Sequence, residues 1–261
     1  MRRPFKSVSF GSLLCFFALY PVLISGTNKK GNEADTKIAA AEVNTTTPSP
    51  VITIIKPVEE LLQDETDALY DSIRGKRYGL SKEAFEYAWK GYKQLLENKR
   101  LSNDDVLTIC DFSQSSRRKR MFVIDISNKK ILLQTWVAHG RNSGGEYARS
   151  FSNSAESHKS SLGFYVTHKT YVGEHGLSLK IKGLEKGIND KADERNIVVH
   201  GSDYVGTGYL RSHRVNGRSL GCPAIPEKDT DKVIHTIKGG SCFFIYHPTK
   251  HYLERSKILN G

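Results

Sequence analysis

The sequence predicts a mainly β domain, a sandwich or barrel, preceded by a short helical segment. Three observations carry this. From Val106 onward the apolar residues fall in short runs of strand length. The 22 glycines lie mostly from Gly140 onward, as a turn-rich β fold requires. Between about Val58 and Glu97 the apolar residues recur instead at helical spacing.

In the helical segment, Leu61, Leu62, Leu69, Tyr70 and Ile73 mark one helix, which Gly75 ends. Ser81 is the expected N-cap of a second, because its hydroxyl can accept from an otherwise unpaired amide. Phe85, Ala88, Trp89, Tyr92, Leu95 and Leu96 form that helix's apolar face. Strands are expected at Val106–Cys110, Arg120–Ile126, Lys130–Ala138, Gly163–Thr170, Asn196–His200 and Cys242–Tyr246. Ser127-Asn128-Lys129 reads as a hairpin turn between the second and third of these. A last helix opens at Glu227 and runs through Val233, Ile234 and Ile237 to Gly239-Gly240. No internal repeat is visible.

Ahead of these elements the chain changes character. Arg2, Arg3 and Lys6 precede the largely apolar run Phe10–Ile24, and Ser25-Gly26 supplies small residues. Residues 1–26 therefore read as a secretory signal, too short for a comfortable membrane span. The bulky Ile24 leaves a retained N-terminal anchor as the alternative, and that segment is the only expected membrane contact. Leu13-Leu14 before Cys15 does not suit lipidation, which wants a small residue there. Thr27 to about Pro50 is polar, ending on Thr45-Thr46-Thr47-Pro48-Ser49-Pro50, and residues 27–56 read as a disordered linker. The expected domains are thus a signal (1–26), a linker (27–56), a helical segment (57–104), a β domain (105–250) and a tail (251–261).

Composition narrows the function. A hydrophobic content of 38% supports a packed core, and the net charge of +11 suits an anionic wall polymer, a membrane surface or nucleic acid, or solubility alone. Nucleic acid lacks any supporting motif, and export argues against it. The basic run Ser115-Ser116-Arg117-Arg118-Lys119-Arg120 reads as a solvated turn. His139, His158, His168 and His175 are scattered without metal-ligand spacing, so no metal and no cofactor is expected; His175 reads as a surface-loop residue, with a place lining the cleft as the alternative.

Cysteine usage points to the chemistry. Removal of Cys15 with the signal leaves Cys110, Cys222 and Cys242, so an exported chain retains at least one unpaired thiol. Cys110 and Cys242 lie in apolar strands and read as buried and reduced. Cys222 lies in Gly217-Arg218-Ser219-Leu220-Gly221-Cys222-Pro223-Ala224, a tight turn, and His200 ends the apolar run Val198-Val199. Together they offer a nucleophile and a base for acyl transfer. The amides of Gly221 and Cys222 can line an oxyanion hole, whereas Pro223 has none to give. Arg218 offers a planar fork for a substrate carboxylate. His213 is a rival base nearer in sequence, set in the exposed run Arg211-Ser212-His213-Arg214.

An ordered series of segments then resembles the L,D-transpeptidase (YkuD-type) catalytic domain, in its divergent murein branch. The series runs Ala138-His139-Gly140-Arg141, Lys159-Ser160-Ser161-Leu162-Gly163, Tyr171-Val172-Gly173-Glu174-His175-Gly176, Arg195 to Gly201, Tyr204-Val205 and Gly217 to Ala224. It spans about Leu107 to Tyr246. The resemblance implies a β-rich fold and a cysteine acyl-enzyme acting on peptidoglycan stem peptides. It makes Cys222 the nucleophile, His200 the base and Gly201 the residue whose carbonyl orients the imidazole. Ser202, Tyr204, Arg218 and Ser219 are then expected at the substrate. The common motif carries histidine just before the Gly-Cys, and here that place is Leu220. The implied activity is L,D-transpeptidation. Hydrolysis of the same stems, as an L,D-carboxypeptidase or amidase, and a non-catalytic wall-binding module are the alternatives. The implied location is the periplasm or cell envelope.

Overall fold

The computed structural model describes residues 58–261, and the expected signal and linker lie outside the described residues. Eight strands form one sheet: β1 (Val106–Asp111), β2 (Met121–Asp125), β3 (Lys130–Thr135), β4 (Gly163–Gly173), β5 (Gly176–Gly183), β6 (Val198–Ser202), β7 (Ala224–Pro226) and β8 (Cys242–Tyr246). Their spatial order is β3-β2-β1-β8-β4-β5-β6-β7. Pairing is antiparallel except between β1 and β8 and between β6 and β7. The mainly β expectation therefore holds, and the six strands expected are present. β5 and β7 are additional.

The two ends of the sheet approach each other. Beyond β3 the chain runs to Ala138, whose amide donates to the carbonyl of Ala224 in β7 at 2.8 Å. A further bridge joins Gly140 to Ser219. The result is a nearly closed barrel, in which the last strand is paired on both sides and presents little free edge. The segment expected as one strand, Lys130–Ala138, is thus β3 followed by an irregular stretch that crosses to the other end of the sheet.

The core is built from both the strands and the preceding helices, α1 (Val58–Ser72), α2 (Gly75–Tyr78) and α3 (Lys82–Glu97). Ser81 caps α3, its hydroxyl accepting from the Ala84 amide at 3.2 Å. Ala84, Phe85 and Ala88 are fully buried, with Trp89, Tyr92 and Leu95 nearly so. Gly91 lets α3 sit directly on the sheet. A Cβ there would lie 2.0 Å from Phe164 Cζ, so any larger residue would displace that ring. Phe164 in turn stacks on Phe244 of β8 at 4.1 Å between centroids.

α4 (Thr207–Leu210) and α5 (Glu227–Ile237) flank the β6–β7 region, and α6 (Lys250–Leu253) and α7 (Lys257–Asn260) close the chain. Residues 251–261 fold back onto the domain. Their anchor is Glu185, only 4% exposed. Its carboxylate accepts from the Phe164 amide at 2.7 Å, from Tyr252 at 3.3 Å and from the Ser256 hydroxyl. Burial pushes this carboxyl above the usual range, while those donors oppose the rise. The free cysteines Cys110 and Cys242 are buried in β1 and β8. The parallel register sets Cys110 opposite Ile245 and Cys242 opposite Leu107, so the two thiols are out of step and unpaired.

Ser256 both satisfies Glu185 and caps α7 through the Leu259 amide at 3.2 Å. Ser256→Ala is expected to lower stability by about 1–3 kcal/mol, because it leaves a buried acceptor without its donor. Urea unfolding measures this. A loss within about 0.5 kcal/mol, the range of a surface change, would show that the C-terminal helices lie outside the cooperative core.

Candidate active site

The site is organised by β6 and β7. Their parallel register sets His200 opposite Ala224. Cys222 therefore lies two residues ahead of the residue that faces His200. Its sulfur lies 3.5 Å from the Val198 amide, which donates to it, and 3.6 Å from the Asn196 carbonyl, toward which the thiol donates. Val198 and His200 are two apart on one strand, so their side chains share a face. Among the described residues no hydrogen bond joins the thiol to the imidazole.

His200 is 2% exposed. Its Nδ1 lies 2.9 Å from the Gly201 carbonyl. A carbonyl can only accept, so Nδ1 carries the proton and Nε2 is the basic nitrogen. Burial holds the imidazole below its ordinary pKa, the Gly201 bond opposes this, and the neighbouring His175 lowers it further. The His175 ring stacks on His200 at 4.3 Å between centroids, 17° from parallel.

The thiol of Cys222 is pushed up by burial, against the pull of the Val198 amide and the charge of Arg195. Both shifts favour the uncharged forms. At rest the thiol and the imidazole are therefore both neutral. Arg195 is half-buried and tied down. Its guanidinium donates to the carbonyls of Ser152 and Lys159 at 2.8 and 2.6 Å, and to Ser161 Oγ at 2.6 Å. It is a fixed positive charge that discriminates between thiol and thiolate.

The turn carrying Cys222 is stitched from within. Ser219 Oγ donates to the Cys222 carbonyl at 2.6 Å and accepts from the Gly221 amide at 3.1 Å. The Gly221 amide thus already has a partner in this state. Gly221 sits at φ +130°, where a Cβ would be strained and would also lie 3.0 Å from the Lys159 carbonyl. Ser160 Oγ donates to the Gly221 carbonyl at 3.2 Å. Ser219 exchanges backbone bonds with the crossing segment, donating to the His139 carbonyl at 3.0 Å and accepting from Arg141 at 2.7 Å.

The remaining sequence-selected residues spread around this turn. Tyr204 is half-buried. Burial pushes its phenol up, Ser202 opposes that, and a charge on Cys222 raises it further. Ser202 is buried beside it, its hydroxyl accepting from the Tyr204 amide at 3.4 Å. Arg218 is exposed, one Nη donating to the carbonyls of Arg141 and Gly144 at 3.3 and 3.2 Å. His213 is exposed on the intervening loop, stacked on Tyr209 at 3.7 Å. A cavity of about 510 Å³ is lined by His175, Gly201, Ser202 and Tyr204 together with the carboxylates Glu174 and Asp231. Cys222 does not line it; the cavity adjoins the His200 end of the site.

A sequence model of the L,D-transpeptidase catalytic domain matches residues 76–246. The chain belongs to the L,D-transpeptidase catalytic-domain family. The match starts at Lys76, ahead of the Leu107 at which the sequence resemblance begins, and so takes in α3, whose inner face is part of the core. No curated protein matches the chain. Among solved structures, an L,D-transpeptidase from Mycobacterium smegmatis aligns at 10% identity and TM-score 0.34, over 55% of this chain and 59% of its own. Bd1075 from Bdellovibrio bacteriovorus aligns at 16% identity and TM-score 0.36, over 61% and 56%. Pgp2 from Campylobacter jejuni, described as a helical cell shape determining protein, aligns at 15% identity and TM-score 0.35, over 63% and 56%. The chain thus spans less than two thirds of the length of these structures.

Two contributors to this L,D-transpeptidase-family site carry no sequence signal of their own, and a third, His175, reads more readily as a surface-loop residue than as a lining of the cleft. Arg195 and the Val198 amide bear on the thiol, and His175 lies on the imidazole. Arg195 immediately precedes the strand of His200, but only the fold shows that its fork turns back toward Cys222. The basic run also splits: Arg117, Arg118 and Lys119 are exposed, whereas Arg120 is fully buried. Its guanidinium donates to the Val137 carbonyl at 2.9 Å and to His139 Nδ1 at 2.8 Å. It thereby secures the crossing segment. That neighbour and burial hold His139 neutral, at a pKa of about 3.

The raised thiol pKa gives a signed expectation. Alkylation of Cys222 by iodoacetamide should have a pH midpoint above that of a free cysteine, about 8.5, and Arg195→Met should move it higher still. The pH profile of modification, read by intact mass, checks both. A midpoint below the free-cysteine value would show that neighbouring charges outweigh burial.

Proposed function

We propose that this protein is an exported cysteine acyltransferase acting on peptidoglycan stem peptides, an L,D-transpeptidase using Cys222 as nucleophile and His200 as base. The observation that carries the reading is the Nδ1 contact of His200 with the Gly201 carbonyl at 2.9 Å. It leaves Nε2 as the basic nitrogen, on a strand whose register brings the Cys222 turn alongside. Family membership supports the reaction class. The N-terminal sequence, basic and then apolar, supports export.

In this mechanism the stem's scissile carbonyl enters beside the sulfur. His200 Nε2 takes the thiol proton as sulfur attacks the carbonyl carbon. The Cys222 amide stabilises the developing oxyanion, joined by the Gly221 amide once Ser219 releases it. The tetrahedral intermediate collapses, the C–N bond to the terminal D-residue breaks, and His200 returns its proton to the leaving amine. A thioester on Cys222 remains. An acceptor amine attacks it, losing a proton to His200. The C–S bond then breaks, and the proton returns to sulfur. Water in place of the amine gives hydrolysis by the same steps. Arg218, Ser202 and Tyr204 flank the turn and are assigned to the stem, and Ser219 to supporting the turn itself. The neutral resting pair implies that substrate binding, by excluding water and presenting the carbonyl, triggers proton transfer.

The test is incubation of the folded chain with defined tetrapeptide muropeptides, with and without a D-amino acid acceptor. Exchange of the terminal D-residue is expected. Cys222→Ala should abolish it with the fold intact, and His200→Ala should lower kcat/KM by about 10²- to 10⁴-fold. Release without exchange would identify water as the acceptor. Neither exchange nor release from folded protein would refute the enzymatic reading.

A further inference from the structure

The β4–β5 hairpin delivers a second histidine to the proposed base. Gly173 pairs with Gly176 at the tip, with Glu174 and His175 between them. β5 is then fastened to β6 with Ser178 opposite His200. Only Gly176 and Leu177 separate the hairpin's histidine from the residue opposite the base, so the sheet register itself sets the stack.

The two rings are unequal. His200 is buried, whereas His175 is exposed. The hairpin ring therefore lies on the inner imidazole as a cover. The Gly201 bond fixes His200 at one nitrogen only. The ring is otherwise free to rotate about that point, which would redirect Nε2. A second ring at 4.3 Å and 17° blocks that rotation. It also excludes water from one face of the group that must become an imidazolium during the reaction.

We infer that His175 is a positioning residue for His200, holding the plane of its imidazole and admitting the imidazolium only while His175 is itself uncharged. This rests on the reading of His200 as the base. The electrostatic half follows from distance: a positive charge on a ring stacked at 4.3 Å repels an imidazolium at His200 and so opposes its formation. The charged and titratable groups facing the pair are Glu174 in the hairpin, Asp203 after β6, Glu227 and Asp231 on α5, Tyr204, and the Cys222 thiol. Imidazolium at His200 thus depends on which ring takes the proton.

The test is NMR titration of the histidine rings in ¹⁵N-labelled protein, with His200 assigned by comparison with His200→Ala, alongside kcat/KM profiles. His175→Ala should mix the two neutral tautomers of His200 and move its titration to higher pH, with a loss in kcat of about ten- to a hundredfold. His175→Phe keeps a flat ring and removes the charge. It should preserve the single tautomer, keep kcat within about threefold, and still move the acid limb of kcat/KM to higher pH. Near-UV circular dichroism confirms folding, and the Phe variant carries the test if the Ala variant does not fold. Unchanged His200 tautomer and titration in either folded variant would overturn the inference. So would a Phe variant as impaired as the Ala variant. Should Cys222→Ala retain activity, the acyltransferase reading fails, yet the His200 titrations still decide whether His175 positions it.

Discussion

β7 is only three residues long, and its place in the sheet sets the geometry of the site. On one side it lies parallel to β6, with Ala224 opposite His200. On the other, the Ala224 carbonyl accepts from Ala138, which has crossed from the far end of the sheet. A strand this short has little intrinsic stability. It persists because it is paired on both sides. The same pairing closes the barrel and sets the separation between the Cys222 turn and the imidazole. The buried Arg120 belongs to this constraint, since it holds the carbonyl of Val137 and the ring of His139 in the crossing segment. From there the bonds run through Ser219 to the Gly221 amide and the Cys222 carbonyl. The turn of the proposed nucleophile is thereby tied to the core.

Charge in the site follows from burial. Desolvation raises the thiol and lowers the imidazole, and both shifts favour the neutral pair. Many cysteine enzymes hold a preformed thiolate; this arrangement favours the proton on sulfur at rest. Arg195 and the Val198 amide moderate the penalty. The stack of His175 on His200 acts on the same balance from the other end of the pair.

Much of this was legible in the sequence, and the gaps have physical causes. Alternation and length mark β1, β2 and β4, and Ser81 marks the start of α3, because those signals are local. β5 also carries alternation, in Leu177, Leu179 and Ile181, but it abuts β4 through a two-residue tip and is easily absorbed into a motif. β7 is too short for any periodicity. Cys222 stands out by its Gly-Pro setting and by the unpaired-thiol count. Arg195 and His175 do not, since each acts through a contact made only by register between distant segments. Arg120 reads as one more charge in a basic run; its burial depends on carbonyls supplied by a strand end and a loop on either side of it.

The account stands on a covalent acyl group forming at one sulfur, and intact-mass spectrometry of the folded chain mixed rapidly with a tetrapeptide stem tests this most directly. It predicts an adduct equal to the stem less its terminal D-residue, mapped to Cys222, lost on adding hydroxylamine and absent in Cys222→Ala. Terminal-residue exchange or release without any such adduct, or an adduct that persists in Cys222→Ala, would contradict it.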